Sequence, residues 1–171
     1  QIAERLVKKG HTVTVATSYQ ERRDSEIGGV GIKDFRVSGN AVTGIHGERE
    51  AYLEFLKAGD ADVMVNFGAN VWTSDLVFEA LPFVHAKKVL STPGLSKLHT
   101  SRYQPYYGGA YARALAAYDK IVYTSSLYRD KVFGDTHGAG EKAVVIPNGA
   151  GEEFLAPQIG FRKKYGIRTS Y

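Results

Sequence analysis

Short β-branched runs alternate with helix-like segments along almost the whole chain, and this alternation restricts the fold more than any other feature. Apolar runs at residues 63–67, 87–91 and 120–124 predict strands, and helical spacing of apolar residues follows them, as at 72–80. Strands separated by helices pair in parallel, because each helix returns the chain to the same end of the sheet. We therefore predict an α/β domain with a doubly wound parallel sheet and helices on both faces.

The beginning of the chain departs from this scheme. A helical pattern at residues 2–9 has no strand pattern before it, and a strand is predicted only at 11–18. In a doubly wound sheet the first strand precedes the first helix and lies in the middle of the sheet. We therefore expect the first strand to be missing from the 171 residues. The stretch 38–47 contains three glycines and is predicted to be an exposed loop.

Composition excludes several kinds of site. The chain has no cysteine, which rules out disulfides, thiolate nucleophiles and zinc held by cysteine. Its five histidines never stand four residues apart, and the chain contains neither a G-K-[ST] string nor a complete G-x-G-x-x-G after a strand. We therefore predict no metal site and no dinucleotide fingerprint.

Charge and hydropathy set the expected partners and location. The net charge of +4 favours acidic partners, such as nucleotide phosphates or anionic lipid headgroups. The basic pairs are scattered and only residues 162–164 form a run, so no nucleic-acid partner is predicted. No run of about 18 apolar residues predicts a membrane span. The expected location is the cytoplasm, and peripheral contact with an anionic membrane stays open.

Ligands of open parallel sheets collect beyond the carboxyl ends of the strands. This rule nominates four loops, at residues 68–74, 92–101, 125–129 and 148–153. The first loop contains Asn70 and Trp72, the only tryptophan. Either these two side chains offer a hydrogen-bonding amide and an aromatic platform to a sugar, or Trp72 fills the core while Thr73 or Ser74 caps a helix.

The next two loops offer further candidates. A Pro-Gly turn at Gly94 lets the backbone approach a ligand closely. Ser125 and Arg129 lie at a strand–helix junction, where a serine is expected to cap the helix and the arginine can pair with an anionic acceptor. A tyrosine stripe at Tyr103, Tyr106, Tyr107 and Tyr111 has helical spacing, which indicates either core packing or, for Tyr103 at the helix start, stacking on a sugar.

A strand and turn near the end of the chain carry a family resemblance. The string Val145-Ile146-Pro147-Asn148-Gly149-Ala150, followed by Phe154, resembles the hinge-proximal signature of the GT-B glycosyltransferases, especially retaining glycosyltransferase family 4. Residues 3–15, 118–126 and 161–167 resemble further elements of that family in the same order.

The resemblance implies a division of the chain and roles for single residues. Residues 1–155 would be the N-terminal, Rossmann-like acceptor domain, and 156–171 the hinge and the start of a C-terminal donor-binding domain. Ser125, Asn148 and Gly149 would lie at the hinge or cleft. Acceptor contacts are expected from six residues: Asn70, Trp72, Gly94, His99, Tyr103 and Arg129. Many family members carry a histidine directly after the strand 87–91. His99 lies several residues later, so backbone amides around Gly94 are the alternative.

The resemblance also implies the reaction. The family's retaining enzymes hold a nucleotide-sugar mainly in the C-terminal domain, through two glutamates with seven residues between them. No two glutamates of this chain have that spacing. The chain would thus be the acceptor-binding half of an enzyme of glycan biosynthesis that uses a UDP- or GDP-sugar and a sugar or lipid acceptor. Its partner would be the missing donor domain, and the 171 residues alone would be inactive. No catalytic residue is assigned.

Two other interpretations stay open. A stand-alone α/β ligand-binding module would account for the length of the chain, but it would begin inside a helix. Half of a nucleotide-sugar epimerase would need acidic and histidine residues across the cleft, and the sequence does not reveal such a set.

Overall fold

A computed structural model describes residues 2–149 and 160–168. The chain begins with α1 (Ile2–Lys8), which leads into strand β1 (Thr14–Ser18). A short β2 (Glu26–Ile27) and β3 (Val30–Phe35) follow. β1 and β3 pair in parallel, and β2 pairs with β3 in the antiparallel direction. Alternating threonine and valine residues favour β1, because β-branched side chains suit an extended backbone.

The glycine-rich stretch forms a β-hairpin, so the prediction of an exposed loop at residues 38–47 is wrong. β4 (Val37–Asn40) and β5 (Gly44–Gly47) pair in the antiparallel direction. The Asn40 Oδ1 atom accepts hydrogen bonds from the backbone N–H groups of Val42 and Thr43, both at 2.9 Å, and so closes the turn. The Val37 side chain is buried in the core, which anchors the hairpin to the domain.

The rest of the described chain builds a second, parallel sheet of four strands. In spatial and chain order these are β6 (Val63–Phe67), β7 (Lys87–Thr92), β8 (Lys120–Tyr123) and β9 (Ala143–Val145). The helical elements are α2 (Arg49–Ala58), α3 (Trp72–Ala80), α4 (Ala112–Ala117), α5 (Arg129–Thr136) and α6 (Phe161–Lys164), with 3₁₀ turns at Leu81–Phe83 and Gly140–Lys142. A π-helical turn, Tyr106–Tyr111, runs directly into α4. This confirms the α/β class and the parallel sheet.

One face of the four-stranded sheet carries the core. Leu90 of β7 pairs with Ile121 of β8, and both side chains are fully buried against Leu76 of α3 and Leu115 of α4. The opposite face is open at β6, where three apolar side chains are 53, 46 and 54 % exposed: Val63, Val65 and Phe67. Described helices therefore cover the Leu90 face of this sheet.

The two sheets share one core and present their carboxyl ends on the same side. The Trp72 Nε1 group, just beyond β6, donates a hydrogen bond to Ser18 Oγ at the end of β1, at 3.0 Å. Phe35 of β3 and Tyr52 of α2 pack edge-on against the Trp72 ring. Nowhere in the described ranges is a helix long and apolar enough to cross a membrane.

Candidate functional site

In the loop after β6, Asn70 has a left-handed backbone and a buried side-chain oxygen without a described hydrogen-bond partner. Its backbone has a φ of +57°, in the left-handed region that asparagine tolerates better than most residues. Its N–H group donates to the Tyr106 hydroxyl at 2.8 Å. Its Oδ1 atom is buried and has no hydrogen-bond partner among the described residues. An unsatisfied buried acceptor costs stability, so this oxygen is a candidate for a hydrogen bond from a ligand.

A buried hydrogen-bond network fixes this loop. The Tyr106 hydroxyl donates to Asp75 Oδ1 at 2.5 Å, and the Ala41 N–H group donates to Asp75 Oδ2 at 2.7 Å. Three elements are therefore linked next to Asn70: the hairpin turn, the first turn of α3 and the start of the π turn. Burial raises the pKa of Asp75, and the hydrogen bonds from Tyr106 and Ala41 offset only part of that increase.

We predict that replacing Asp75 with asparagine removes the contribution of this carboxyl group to the pH dependence of the free energy of unfolding. The folded carboxyl group binds its proton more tightly than the unfolded one, whose pKa is near 3.8. Its favourable contribution is thus complete below that pH and is lost as the pH rises through the raised pKa. We expect urea unfolding from pH 3 to 8 to show that the free energy of unfolding of Asp75→Asn increases relative to that of the wild type as the pH rises.

Asp119→Asn is the matched control. A hydrogen bond from the Lys88 N–H group is the main cause that lowers the pKa of Asp119. The difference in the free energy of unfolding between Asp119→Asn and the wild type should therefore change only as the pH falls below 3.8. A flat difference for Asp75→Asn above that pH would contradict the assignment.

Trp72 occupies the core position that the sequence offered as one of two alternatives. Its ring is buried, 5.0 Å from the Tyr52 ring, and its indole N–H already donates to Ser18. Helix capping by Thr73 or Ser74 is wrong: α3 begins after Val71 without a side-chain cap. The Ser74 hydroxyl instead donates to the Gly68 carbonyl at 2.9 Å. Contact of Trp72 with a sugar stays a prediction.

The tyrosine stripe packs into the core, as one of its two interpretations predicts. Its four rings are buried: Tyr103, Tyr106, Tyr107 and Tyr111. The Tyr103 hydroxyl accepts a hydrogen bond from Lys97 Nζ at 3.2 Å, and the same ammonium lies 4.9 Å from the ring centroid. Tyr103 thus links the core to the loop after β7, and its role in sugar stacking stays a prediction.

The loops after β7 and β8 bring two predicted residues together. The Arg129 Nη1 atom lies 3.3 Å from His99 Nδ1, and both side chains are exposed. Gly94 is exposed in the same loop as His99, and a Cβ atom placed on it would meet no other atom within 4 Å. The space directly beside Gly94 is therefore unoccupied by other described residues.

The junction between β8 and α5 differs from the sequence prediction. The sequence predicts a serine cap for this helix, and that prediction is wrong: α5 begins after Tyr128 without a side-chain cap. The Ser125 hydroxyl oxygen accepts a hydrogen bond from the Leu127 N–H group at 3.2 Å, which forms a serine turn before the helix. The extra turn moves the start of the helix and places Arg129 in its first position.

The predicted hinge lies only partly within the described chain. Asn148 and Gly149 follow β9 and are exposed. Ala150, Phe154 and the predicted domain boundary after residue 155 lie outside the described residues, as does the end of the loop 148–153. The division into domains stays a prediction.

The Asp75–Tyr106 contact has no signal in the sequence. Asp75 reads as an ordinary acidic residue in a helix's first turn, and Tyr106 reads as core. Within residues 2–149 and 160–168, no three histidine, aspartate or glutamate side chains lie where they can hold a metal ion together. No model of a known protein family matches this chain, and no curated protein matches it at a significant level.

Proposed function

We propose that this chain is the acceptor-binding half of a glycosyltransferase with a doubly wound GT-B architecture. The whole enzyme moves a sugar from a UDP- or GDP-sugar to a hydroxyl acceptor, and a C-terminal domain binds the donor. The family motifs of the sequence and the parallel sheet support this proposal. The observation that carries it is the buried, unpartnered Asn70 Oδ1 atom beyond the carboxyl end of β6.

Asn70 suits an acceptor hydroxyl. Glycosyl transfer breaks the bond between the anomeric carbon and the donor phosphate oxygen, forms a bond to the acceptor oxygen, and passes the acceptor proton to the departing nucleoside diphosphate. A side-chain amide oxygen that accepts the hydrogen bond of a hydroxyl orients that hydroxyl's lone pairs toward the anomeric carbon. The bond from Tyr106 to Asp75 holds the loop, so Asn70 is oriented before the acceptor arrives.

The test is Asn70→Gly in the full-length protein. Glycine adopts the backbone φ of +57° without strain, so stability should be retained while the amide oxygen is lost. We expect the acceptor KM to rise about fivefold, the effect of one lost hydrogen bond, and the donor KM to stay unchanged. The measurement is release of nucleoside diphosphate from UDP- and GDP-sugars with glycan and lipid acceptors.

A second variant separates binding from folding. Asn70→Ala removes the same oxygen but must hold a left-handed backbone, so its free energy of unfolding should fall by about 1 kcal/mol relative to Asn70→Gly. Equal acceptor KM values for Asn70→Gly and the wild type would refute the role of Asn70. Conversion of one nucleotide-sugar to another without release of nucleoside diphosphate would indicate the epimerase instead.

A further inference from the structure

We propose that the acceptor carries a phosphate group, and that a surface formed by Lys97, His99, Arg102 and Arg129 binds it. This inference rests on the proposed function, because it names the chemistry of the acceptor at the same edge of the sheet. We call these four residues the cationic surface. Lys97, His99 and Arg102 lie on the loop after β7, and Arg129 begins α5 after β8. β7 and β8 are neighbouring strands of the parallel sheet.

The pair at the centre of this surface offers only hydrogen-bond donors. A guanidinium group has no acceptor, so His99 Nδ1 must accept the bond from Arg129. The other ring nitrogen, Nε2, then carries a hydrogen, and it has no partner in the described structure. Most of the guanidinium N–H groups of Arg129 are likewise unused. A ligand that satisfies both groups must present several acceptor oxygens, as phosphate does.

Lys97 and Arg102 extend the same donor set. Lys97 Nζ donates to Tyr103, which leaves two of its hydrogens available. Two successive turns keep these residues together, since the Thr100 N–H group bonds to the Lys97 carbonyl at 2.9 Å and the Tyr103 N–H group to the Thr100 carbonyl at 2.8 Å. Lys97 has a φ of +63°, so the loop is held in a conformation that a lysine rarely adopts.

The charge of this surface is not neutralised by nearby carboxylates. Residues 80–118 contain no aspartate or glutamate, and they contain five lysines and arginines: Lys87, Lys88, Lys97, Arg102 and Arg113. Asp130, beside Arg129 in sequence, is buried and bonded to the Thr92 hydroxyl at 2.9 Å. None of the ion pairs in the described part of the chain involves Lys97, Arg102 or Arg129. An anionic group is thus the complement of this surface.

Binding of phosphate compounds tests the inference. The probes are glucose 6-phosphate against glucose, and phosphatidylcholine vesicles with and without phosphatidic acid, all titrated into the full-length protein. Arg129→Gln and His99→Gln should each weaken phosphate binding by about tenfold, as expected for a lost charge-assisted hydrogen bond. Arg129→Lys keeps the charge but loses the planar fork, so it should lie between Arg129→Gln and the wild type.

Arg5→Gln is the control, because it removes one charge from an exposed position on α1, in the other sheet's part of the domain. Equal weakening by Arg5→Gln and Arg129→Gln would overturn the inference, since only net charge would then matter. Preference for acidic vesicles over glucose 6-phosphate identifies a lipid-borne phosphate, and the reverse preference a soluble one.

The two proposals fail in different ways. Transfer to a neutral acceptor that depends on Asn70 but not on Arg129 would leave the proposed function standing and overturn the phosphate inference. Phosphate binding that depends on Arg129, without release of nucleoside diphosphate from any UDP- or GDP-sugar, would keep the cationic surface and overturn glycosyl transfer.

Discussion

Gly134→Ala is expected to destabilise the folded domain by about 3 kcal/mol, although the same change within a helix usually stabilises. A Cβ atom on Gly134 would lie 1.9 Å from the Tyr123 hydroxyl oxygen and 3.2 Å from the Ala139 Cβ atom. The Tyr123 ring is fully buried and cannot move away without disturbing the core. The Gly134 carbonyl accepts bonds from the N–H groups of His137 and Ala139, which hold the backbone of α5 in place.

Tyr123→Phe should rescue part of this loss. The Tyr123 hydroxyl is buried without a hydrogen-bond partner in the described structure, and burial raises its pKa to about 12, so it stays neutral. Removing it alone should stabilise the domain by about 1 kcal/mol. In the double variant, Tyr123→Phe also removes the atom closest to the new Cβ atom of Gly134→Ala. The ring carbon Cζ stays 2.8 Å from that Cβ atom, so the rescue is partial.

Urea denaturation of the four proteins measures the coupling. The double-mutant cycle should give an interaction free energy above about 1 kcal/mol. Gly108→Ala is the control, because a Cβ atom there meets nothing within 4 Å and should be neutral or stabilising. Additive effects of the two substitutions would show that the hydroxyl is not what excludes a side chain from Gly134.

Gly47→Ala should destabilise the domain by about 3 kcal/mol through the backbone of the hairpin. Gly47 has a φ of +102°, and a Cβ atom on it would lie 1.8 Å from the Arg36 carbonyl oxygen. That carbonyl cannot swing away freely, because it accepts a bond from the Glu48 N–H group at 3.0 Å. The pairing of Gly47 with Val37 would open, and Val37 would leave the core.

Gly138→Ala separates the two causes of that loss. Gly138 has a φ of +79°, but a Cβ atom there meets no atom within 4 Å. Its substitution should therefore cost only the strain of a left-handed alanine, about 1 kcal/mol. Chemical denaturation of both variants gives the difference, which is the part due to the Arg36 carbonyl. Equal losses at the two positions would mean that the hairpin relaxes around the added methyl group.

The elements with strong periodicity are predictable from the sequence. The bounds of β6 and α3 are confirmed to the residue, because an apolar run of Val63–Phe67 and the helical spacing of Trp72–Ala80 each have a single interpretation. The sequence does not predict the hairpin, because three glycines are typical of a loop, whereas Gly39 and Gly47 here let the backbones of the hairpin approach closely. α5 begins at Arg129 rather than directly after a capping serine, since Ser125 forms a turn of its own.

The candidate site is predictable only where it follows the chain locally. The strand-end rule nominated Asn70, His99 and Arg129, and the structure brings the last two within hydrogen-bonding distance. The bond between Asp75 and Tyr106 joins residues 31 apart, and no local pattern distinguishes that aspartate from a solvent-exposed one. Its burial depends on the hairpin turn at Ala41, which the sequence did not predict.

The π-helical turn at Tyr106–Tyr111 gives this domain a route to new specificity through changes in length. A π turn holds one residue more than the α-helical turn it replaces. Each residue rotates an α-helix by about 100°, so deletion of one residue here would turn the loop that carries Lys97 and His99 relative to α4. Leu115 would keep its place in the core. Loss or gain of a single codon at this point can therefore redirect the strand-end loop while the sheet beneath it stays unchanged.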